Sequence, residues 1–459
     1  MALPAAAPAQ KDAAGLRRGA VRLSAVAVGA GVTLALTACL GPTGSPRGAG
    51  ADAGGDGTLR IGLILDNTGR QNFLNAPQLA AAKLAIEEIN AAGGHKGKPV
   101  VLLPETVSTD TAAQARELVA ATADVVIGPT DSSRAPGAID VLSNAKVPLI
   151  SPANSATGLS RYKSGGYYFR TSAADVAQAS VLAKLARDGG AKTLMVMHEE
   201  GSYGKELATA VTAAAQQAGL EPVAEAKFRP GQAQQAAAAA KAASPDAVVL
   251  IARAGAQGAI AELNNAGLAG EKLILSDGAV AQYGSGLGAR ALDGARGILP
   301  GVFPTVEFQS ALVSVDPGLK DMTFAAETYD AVNLAAIAAA AAEDDAGTSI
   351  AAKLAAVSGG TTQGANSAGA SGAGPGGAEP AGAEPAGARP TGEATACKSY
   401  EECVSVIRAG KRPDYDGESG RVNFDSNGDV TEANYVLYSF GADNKATMRG
   451  SESASSSGG

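Results

Sequence analysis

The sequence predicts an α/β protein in which two doubly wound βαβ lobes are joined by a multi-strand hinge. Three observations predict this fold class: short aliphatic runs of the kind found in buried parallel strands, amphipathic helical segments between them, and a restart of the same alternation at Lys192. Such an alternation is typical of layered proteins that cover a mostly parallel sheet with helices.

The first half contains four short aliphatic runs bounded by Gly, Pro or Asp, as expected of strands that are buried on both faces. These runs are Leu59–Leu65, Val100–Leu103, Val125–Ile127 and Val147–Ile150. Between the first two, apolar residues from Leu79 to Ile89 recur at helical spacing, and Gly93-Gly94 ends the helix. Gln114–Ala123 forms the next predicted helix.

The second half repeats this pattern, so two similar lobes are predicted. Its strand candidates are Lys192–Met197, Pro222–Phe228, Asp246–Ile251 and Lys272–Leu275, and its helical segments are Lys205–Ala218, Gln232–Ala243 and Gln257–Ala266. A later strand candidate, Gly297–Phe303, precedes a long Ala-rich helix over Phe324–Ala342. If that helix packs on the first lobe, the chain crosses between the lobes more than once, and the crossings act as a hinge.

These elements divide the chain into predicted segments. Residues 58–173 and 299–433 are assigned to lobe 1, and residues 174–298 and 434–445 to lobe 2. Gly, Ala and Pro dominate residues 359–396, which predicts a low-complexity insertion of lobe 1 that loops into solvent. The tail over residues 446–459 is expected to be disordered. Open α/β sheets bind ligands at the carboxyl ends of their strands, so two facing sheets predict a cleft.

Residues 1–38 have the layout of a bacterial lipoprotein signal peptide. Three arginines between residues 17 and 22 precede an uncharged run that is too short for a permanent membrane span, and Leu36-Thr37-Ala38-Cys39 follows. This tetrapeptide resembles the lipobox, in which the cysteine is alkylated with diacylglycerol. The alternative is an ordinary signal peptide with a chance cysteine. Residues 39–57 predict a flexible tether, so we expect an extracytoplasmic protein anchored to the cell membrane by lipidated Cys39.

Cys397 and Cys403 are the two remaining cysteines, and in an exported chain they favour a disulfide over a metal site. Two free thiols are the alternative. Six residues of straight helix rise about 9 Å, which is beyond disulfide reach. Ser399-Tyr-Glu-Glu402 is typical of a capping box, which would place Cys397 just outside a helix and Cys403 in its first turns.

Composition and motifs argue against several functional classes. The formal net charge of -8, without a basic stripe, argues against a nucleic-acid partner. Neither His95 nor His198 lies in a zinc-type spacing, and no Walker A or dinucleotide motif is present, so no catalytic residue, metal or cofactor is predicted. Asp425-Ser-Asn-Gly-Asp lacks the Gly and Glu of a calcium loop. Asn427-Gly428 predicts a hairpin turn after Arg421–Phe424 instead.

Eight short segments occur in a fixed order along the chain. They are LRIGLIL from Leu59, AIEEINAAGG from Ala85, VIGP from Val126, VPLISPA from Val147, FRT from Phe169, SYG from Ser202, PDAV from Pro245 and AETYDAV from Ala326. Together they resemble the branched-chain amino-acid (Leu/Ile/Val) binding proteins of ABC importers, which have the type I periplasmic-binding fold. The resemblance runs from Leu59 to about Phe440, apart from the insertion.

The resemblance implies that an amino acid's carboxylate binds at helix starts after the strands of lobe 1, where N–H groups and hydroxyls favour an anion. The matching positions are Ser132, Ala153 and Ser155. In lobe 2, Tyr203 matches a tyrosine that reaches the ligand on closure, and Asp277 stands where the family places an acid for the α-ammonium group. Phe73 is the candidate apolar wall from lobe 1.

Plainer roles are open to each of these residues. Ser132 and Ser155 also fit N-caps. Tyr203 also fits a packing aromatic, Asp277-Gly278 a turn, and Phe73 a loop anchor. Where the family often has an aromatic residue after Ala247–Ile251, this chain has Arg253, which either meets a second carboxylate or polar ligand or is solvated in its loop. Specificity for leucine-like ligands therefore does not follow.

The sequence thus predicts a solute-binding lipoprotein of an ABC importer, and not an enzyme. Closure of two lobes would capture an amino acid or a similar small polar solute for delivery to a membrane permease. The expected partners are the solute, separately encoded permease and ATPase subunits, and the membrane through the lipid anchor. The alternative is a ligand-sensing module for a signalling partner without transport, and an enzyme on this fold ranks third.

Overall fold

The computed structural model describes residues 55–360 and 394–455. The predicted signal peptide with Cys39, most of the tether and most of the low-complexity insertion lie outside these residues. Within the described ranges, no helix combines the length and the apolar character that a membrane crossing requires. The described chain forms two large sheets flanked by helices and one small sheet. This is the mixed α/β fold that the sequence predicts.

The first sheet contains five parallel strands: β1 (Arg60–Leu63), β2 (Val101–Leu102), β3 (Val125–Ile127), β4 (Leu149–Ser151) and β5 (Tyr168–Arg170). Their spatial order is β2-β1-β3-β4-β5. Helices α1 (Asn75–Ala91), α2 (Thr111–Ala120) and α3 (Ala135–Asn144) alternate with them. Ile127 enters the apolar core on one face and Val126 the core on the other. Because both faces are buried, these strands are continuous aliphatic runs.

The second sheet begins with β6 (Thr193–Glu199), β7 (Glu221–Phe228), β8 (Ala247–Ile251), β9 (Leu273–Leu275) and β10 (Arg296–Pro300). These five strands are parallel and lie in the order β10-β9-β8-β6-β7. Helices α4 (Gln178–Asp188), α5 (Ser202–Gln217), α6 (Gln234–Ala243) and α7 (Ala256–Asn265) accompany them. The second sheet therefore repeats the construction of the first.

The chain crosses between the sheets through residues 171–177, 301–305 and 422–431, which we call the crossing segments. After the second crossing come α8 (Val306–Val315), α9 (Ala325–Ala342) and α10 (Gly347–Val357). Helix α9 packs against α1 and α10, and most of its small side chains are buried, which explains its Ala-rich sequence. We call the first sheet with α1–α3 and α8–α10 lobe 1, and the second sheet with α4–α7 lobe 2.

A small sheet of β11 (Ala394–Cys397), β12 (Arg412–Gly417) and β13 (Gly420–Arg421) accompanies α11 (Tyr400–Arg408) beside α9. Ser399 caps α11 by accepting the Glu402 N–H, and the Glu402 carboxylate accepts the Lys398 N–H. Cys397 and Cys403 form a disulfide with their Cα atoms 5.2 Å apart. The predicted capping box and disulfide are thus confirmed. Residues 394–396, predicted as the end of the insertion, belong to a strand instead.

The C-terminal region differs from its prediction. Strand β14 (Glu432–Phe440) pairs antiparallel with β10, and β15 (Ala446–Ser455) pairs antiparallel with β14. The expectation of disorder from residue 446 onward was therefore wrong for residues 446–455. Most of these residues are polar or small, but strand pairing satisfies main-chain N–H and C=O groups whatever the side chain. Asn444, at φ 58°, lies in the tight turn that joins the two strands.

Candidate functional site

A cleft of about 800 Å³ lies at the carboxyl ends of the parallel strands of both lobes. Loops after β1, β3 and β4 and the first crossing segment line one side. The start of α5 and the loops after β8 and β9 line the other. The predicted residues Ser132, Ala153, Ser155, Tyr203 and Asp277 all line this cleft. The structure therefore brings together every predicted ligand-binding residue except Phe73.

The lobe 1 wall carries Ser132 and Ser155. Ser132 Oγ accepts hydrogen bonds from the Ser155 and Ala156 N–H groups at 3.1 and 3.3 Å. Neither serine is an N-cap, because the caps of the following helices are Arg134 and Ala156. The Ser132 oxygen thus holds the next loop in place, and its hydroxyl hydrogen is available for a ligand. The Ala153 N–H donates to Ser151 Oγ at 3.3 Å.

Asp66, just after β1, fixes the loop that carries Ser132. Its fully buried carboxylate accepts hydrogen bonds from the Thr130 and Asp131 N–H groups at 2.8 and 3.0 Å. Arg134 lies 3.5 Å from the same carboxylate. Hydrogen bonds to a charged acceptor are stronger than neutral ones, particularly in a buried site. A single buried carboxylate, that of Asp66, therefore holds this loop in place.

Arg170, at the end of β5, fixes the loop that carries Ser155. Its guanidinium group is fully buried and makes five hydrogen bonds, which uses every N–H that an arginine side chain offers. Two bonds go to the Asp429 carboxylate in the third crossing segment. The others go to the Asn154 and Ala156 carbonyl groups and to Ser160 Oγ. Arg170 therefore ties the cleft wall to a crossing segment.

Gly428 makes the contact between β5 and the third crossing segment possible. It adopts φ 81°, and a Cβ atom there would lie 2.3 Å from the Tyr168 carbonyl oxygen. Its own carbonyl oxygen accepts the Arg170 N–H. Phe424 and Val430 form an antiparallel bridge around this turn, as the Asn427-Gly428 pair predicts.

The lobe 2 wall centres on Tyr203 and Asp277. The Tyr203 hydroxyl donates to Asp277 Oδ1 at 2.5 Å and lies 2.9 Å from Ser276 Oγ. Gln178, buried at the start of α4, donates to Asp277 Oδ1 at 2.9 Å and accepts the Asp277 N–H. Burial, followed by the nearby Asp277 charge, holds the pKa of Tyr203 well above its usual range. Tyr203 is therefore a neutral donor to Asp277 and not merely a packing aromatic.

Arg253 also lines this wall. Its guanidinium carbon lies 4.1 Å from the centre of the Tyr203 ring, within cation–π range, and Nη2 lies 3.7 Å from Asp175 Oδ2. The Glu199 carboxylate accepts the Arg253 and Gly255 N–H groups at 2.9 and 3.0 Å. The Arg253 side chain is 55% exposed. The Tyr203 ring and the Glu199 carboxylate nevertheless position this residue, and its guanidinium group lies beside Asp175.

Asp175, in the first crossing segment, is a cleft residue that the sequence reasoning missed. Its side chain is 4% exposed, and its Oδ1 atom is buried without a hydrogen-bond partner in the described chain. Burial and the nearby Asp277 charge raise its pKa to about 7, although the Arg253 charge, a side-chain hydrogen bond with Ser155 and the Arg170 charge lower it. The available signal was its place shortly after β5, at the same sheet edge as the predicted residues.

Phe73 does not line the cleft, which corrects its prediction as an apolar wall. It lies in the short 3-10 helix Gly69–Leu74 with 53% of its surface exposed. Leu74 lines the cleft in its place. Successive side chains of a 3-10 helix point about 120° apart, so the two residues face different directions. Phe324, just before α9, supplies another apolar contact to the cleft.

The described residues contain no group of three or more His, Cys, Asp or Glu side chains arranged to hold a metal ion.

A family model described as "Periplasmic binding protein" matches residues 58–374. The chain belongs to this family. The family is described as one of binding proteins, in agreement with the prediction of a binding protein and not an enzyme. The family match also confirms the two-lobed α/β fold that the resemblance implied.

Two curated relatives align with part of the chain. The Leu/Ile/Val-binding protein homolog 3 of Brucella melitensis is 32% identical over 182 residues, which are 38% of this chain and 48% of that protein. The leucine-, isoleucine-, valine-, threonine- and alanine-binding protein of Pseudomonas aeruginosa is 32% identical over 174 residues, 36% of this chain and 45% of that protein. The chain thus spans about half the length of the curated relatives it matches.

Solved structures of solute-binding proteins share the fold. The branched-chain amino acid transporter substrate binding protein of Streptococcus pneumoniae, in complex with isoleucine, superposes with a TM-score of 0.58 at 20% identity over 87% of this chain and 99% of that chain. A solute binding protein of an ABC transporter from Rhodopseudomonas palustris, in complex with p-hydroxybenzoic acid, has a TM-score of 0.59 at 16% identity over 87% and 97%. At these identities the likeness shows the fold alone.

Proposed function

We propose that this protein is the extracytoplasmic solute-binding lipoprotein of an ABC importer and that it captures an amino acid or a similar small polar solute. The observation that carries the proposal is the distribution of polar groups in one cleft. Serine hydroxyls lie on the lobe 1 wall, whereas the Asp277 carboxylate and the Tyr203 hydroxyl lie on the lobe 2 wall. An α-amino acid has the complementary ends, a carboxylate and an ammonium group.

The known ligands of related proteins support a carboxylate-binding role for lobe 1. Isoleucine and p-hydroxybenzoic acid, the ligands of the two structural neighbours described above, both carry a carboxyl group. In this chain, Ser132 and Ser155 would receive that group, and Asp277 would receive the ammonium group of an amino acid. A solute in contact with both walls favours the closed arrangement of the lobes, because only that arrangement provides both sets of contacts.

A panel of solutes in a thermal-shift assay tests this proposal. Amino acids, short amides, urea-like compounds, benzoates and sugars would each be added to the purified protein, because a ligand that binds only the folded state raises Tm. We expect an amino acid to give the largest shift, and Asp277→Ala to abolish it. Equal shifts for wild type and Asp277→Ala would remove Asp277 from the site. No shift with any solute would contradict the proposed function.

The proposed location and partners follow from the N-terminal sequence and from the relatives. Lipidated Cys39 would anchor the protein at the cell membrane, and a permease and an ATPase on separate chains would receive the solute. The relatives named for transport favour import over the sensing alternative.

Cys39→Ser tests the proposed lipid anchor. This variant should move the protein from the membrane fraction to the soluble extracytoplasmic fraction, and unchanged membrane retention would contradict lipidation.

A further inference from the structure

The tip of the β12–β13 hairpin, Gly417–Gly420, lies between the two lobes, and we call it the clasp. On the lobe 1 side it meets Asp330 of α9, which is fully buried. The Asp330 carboxylate accepts the Glu418 and Ser419 N–H groups at 2.9 and 2.7 Å, and it also accepts the Ser419 hydroxyl. Hydrogen bonds to a carboxylate are among the stronger ones in proteins. The clasp is therefore firmly attached to lobe 1.

The attachment of the clasp to lobe 2 is weaker. Asn434, near the start of β14, donates from Nδ2 to the Ser419 carbonyl oxygen at 3.2 Å. Among the described residues, this is the one hydrogen bond between the clasp and lobe 2. Gly420 permits the approach, because it has φ 97° and a Cβ atom there would lie 2.6 Å from Asn434 Nδ2. A single neutral hydrogen bond contributes far less than the set at Asp330, so this contact is the one that breaks when the lobes move.

The contact between the clasp and Asn434 lies behind the crossing segments as seen from the cleft. Of the three crossing segments, only the first contributes a residue to the cleft lining, and neither the clasp nor Asn434 lines the cleft. Gly301, in the second crossing segment, donates its N–H to the Asn434 carbonyl oxygen at 2.8 Å, so the contact is next to the hinge. When two lobes close around a cleft, the surfaces behind the hinge move apart.

We infer that the clasp regulates the hinge: its hydrogen bond with Asn434 opposes closure of the lobes and thereby lowers the affinity for a solute bound between them. The apparent affinity of a ligand is reduced by the fraction of protein that is not in the binding-competent state. One neutral hydrogen bond changes such an equilibrium roughly two- to tenfold. This inference goes beyond the proposed function, because it does not depend on which solute binds.

Spin labels across the cleft measure lobe closure without any solute. Lys163 in lobe 1 and Lys205 in lobe 2 are exposed, and each lies within two residues of a cleft-lining tyrosine. The full chain with Cys39→Ser retains only the two cysteines of the disulfide. Lys163→Cys and Lys205→Cys therefore introduce the two thiols that react with the label. Double electron–electron resonance then measures the distance distribution between the labels.

Two variants remove the lobe 2 contact of the clasp. Asn434→Ala deletes the donor, and Asn434→Asp replaces it with an acceptor of nearly the same size. Both should move the distance distribution of the solute-free protein to shorter values. Calorimetric titrations with L-leucine, L-isoleucine, L-glutamine and benzoate should give an affinity two- to tenfold above wild type for each probe that binds.

Ser453→Ala is the matched control. The Ser453 hydroxyl donates to Asn434 Oδ1 at 2.7 Å, so this variant removes a hydrogen bond of the same residue but leaves the clasp contact in place. It should keep the wild-type distances and affinities. An unchanged distance distribution in both Asn434 variants, or the same change in Ser453→Ala, would overturn the inference and leave the proposed function intact. If no probe binds, the proposed function is contradicted, whereas the distances still decide the role of the clasp.

Discussion

In both lobes a carboxylate near the end of a strand holds a loop of the cleft, but the two carboxylates differ in how far they are exposed to solvent. Asp66 follows β1, which lies between β2 and β3, and Glu199 ends β6, which lies between β7 and β8. The two acids are therefore at equivalent positions of the two sheets. Each accepts two backbone N–H groups from the loop beyond its neighbouring strand, β3 or β8.

The surroundings differ in exposure. Asp66 and Arg170 of lobe 1 have no exposed side-chain surface, whereas Glu199 of lobe 2 is partly exposed and Arg253 is 55% exposed. Ion pairs and hydrogen bonds to charged groups are stronger in a buried environment than at the solvent-exposed surface. The comparison indicates that the lobe 1 wall is a rigid platform built before the solute arrives. The lobe 2 wall keeps side chains that can adjust to the solute.

The largest effect is expected from Arg170→Met. The change leaves the Asp429 carboxylate without its two Arg170 donors and removes one of the two hydrogen bonds at the Asn154 and Ala156 carbonyl groups. Breaking a buried ion pair in this way costs about 3 to 5 kcal/mol. The free energy of unfolding should fall by about that amount in urea titrations monitored by circular dichroism. Arg187→Met is the matched control, because Arg187 is half exposed and, among the described residues, forms an ion pair only with its neighbour Asp188. A loss below about 1 kcal/mol for Arg170→Met would contradict a rigid lobe 1 platform.

The comparison is tested directly by the pair Asp66→Asn and Glu199→Gln. Both changes remove one carboxylate that accepts two backbone N–H groups. Asp66→Asn should lower the free energy of unfolding by about 2 kcal/mol, since its hydrogen bonds are buried and charged. Glu199→Gln should cost less than about 1 kcal/mol. Chemical denaturation of both variants would measure the difference, and equal losses would show that exposure does not distinguish the lobes.

The sequence predicted the strands well because their residues are buried on both faces and read as aliphatic runs. It also predicted the ends of those strands as the site, since parallel strands bring their carboxyl ends to one edge. Ser132, Ser155, Tyr203 and Asp277 reach the cleft for this reason. The disulfide was predictable because Ser399 and Glu402 determine where α11 begins.

Other features depend on tertiary contacts that have no local pattern. Asp175 reaches the cleft because the chain crosses between lobes there, not because it ends a recognisable motif. Strand β15 consists largely of polar and small residues, and only its pairing with β14 makes it a strand. Phe73 was a wrong choice because the direction of a side chain in a short 3-10 helix depends on where that helix starts. Single-residue orientation is beyond a reading of sequence periodicity.

Asp175, which lies between the lobes, should lower stability at alkaline pH. Its pKa is raised from 3.8 to about 7 in the folded protein, so between these values the folded state binds more protons than the unfolded state. Its contribution to stability therefore falls as pH rises through this window. Asp175→Asn should raise the free energy of unfolding relative to wild type by about 1 kcal/mol at about pH 8, and by less at about pH 5. Urea titrations at both pH values measure this, and a variant that gains no stability at the higher pH would contradict it.

Arg253→Gln is expected to have the smallest effect. It tests the role of an exposed side chain of the lobe 2 wall. Because this side chain is more than half exposed, its loss should leave the free energy of unfolding within about 0.5 kcal/mol. Removing a cation from the wall that carries Asp277 should strengthen binding of an amine-bearing solute roughly threefold. Arg253 lowers the pKa of Asp175, so the pH range over which Asp175 loses its proton and lowers stability should also move higher. Calorimetric titrations measure the affinity and urea titrations measure the pH range, with Arg229→Gln, an exposed arginine of lobe 2, as the control. An unchanged affinity and an unchanged pH range would mean that Arg253 is only a solvated loop charge.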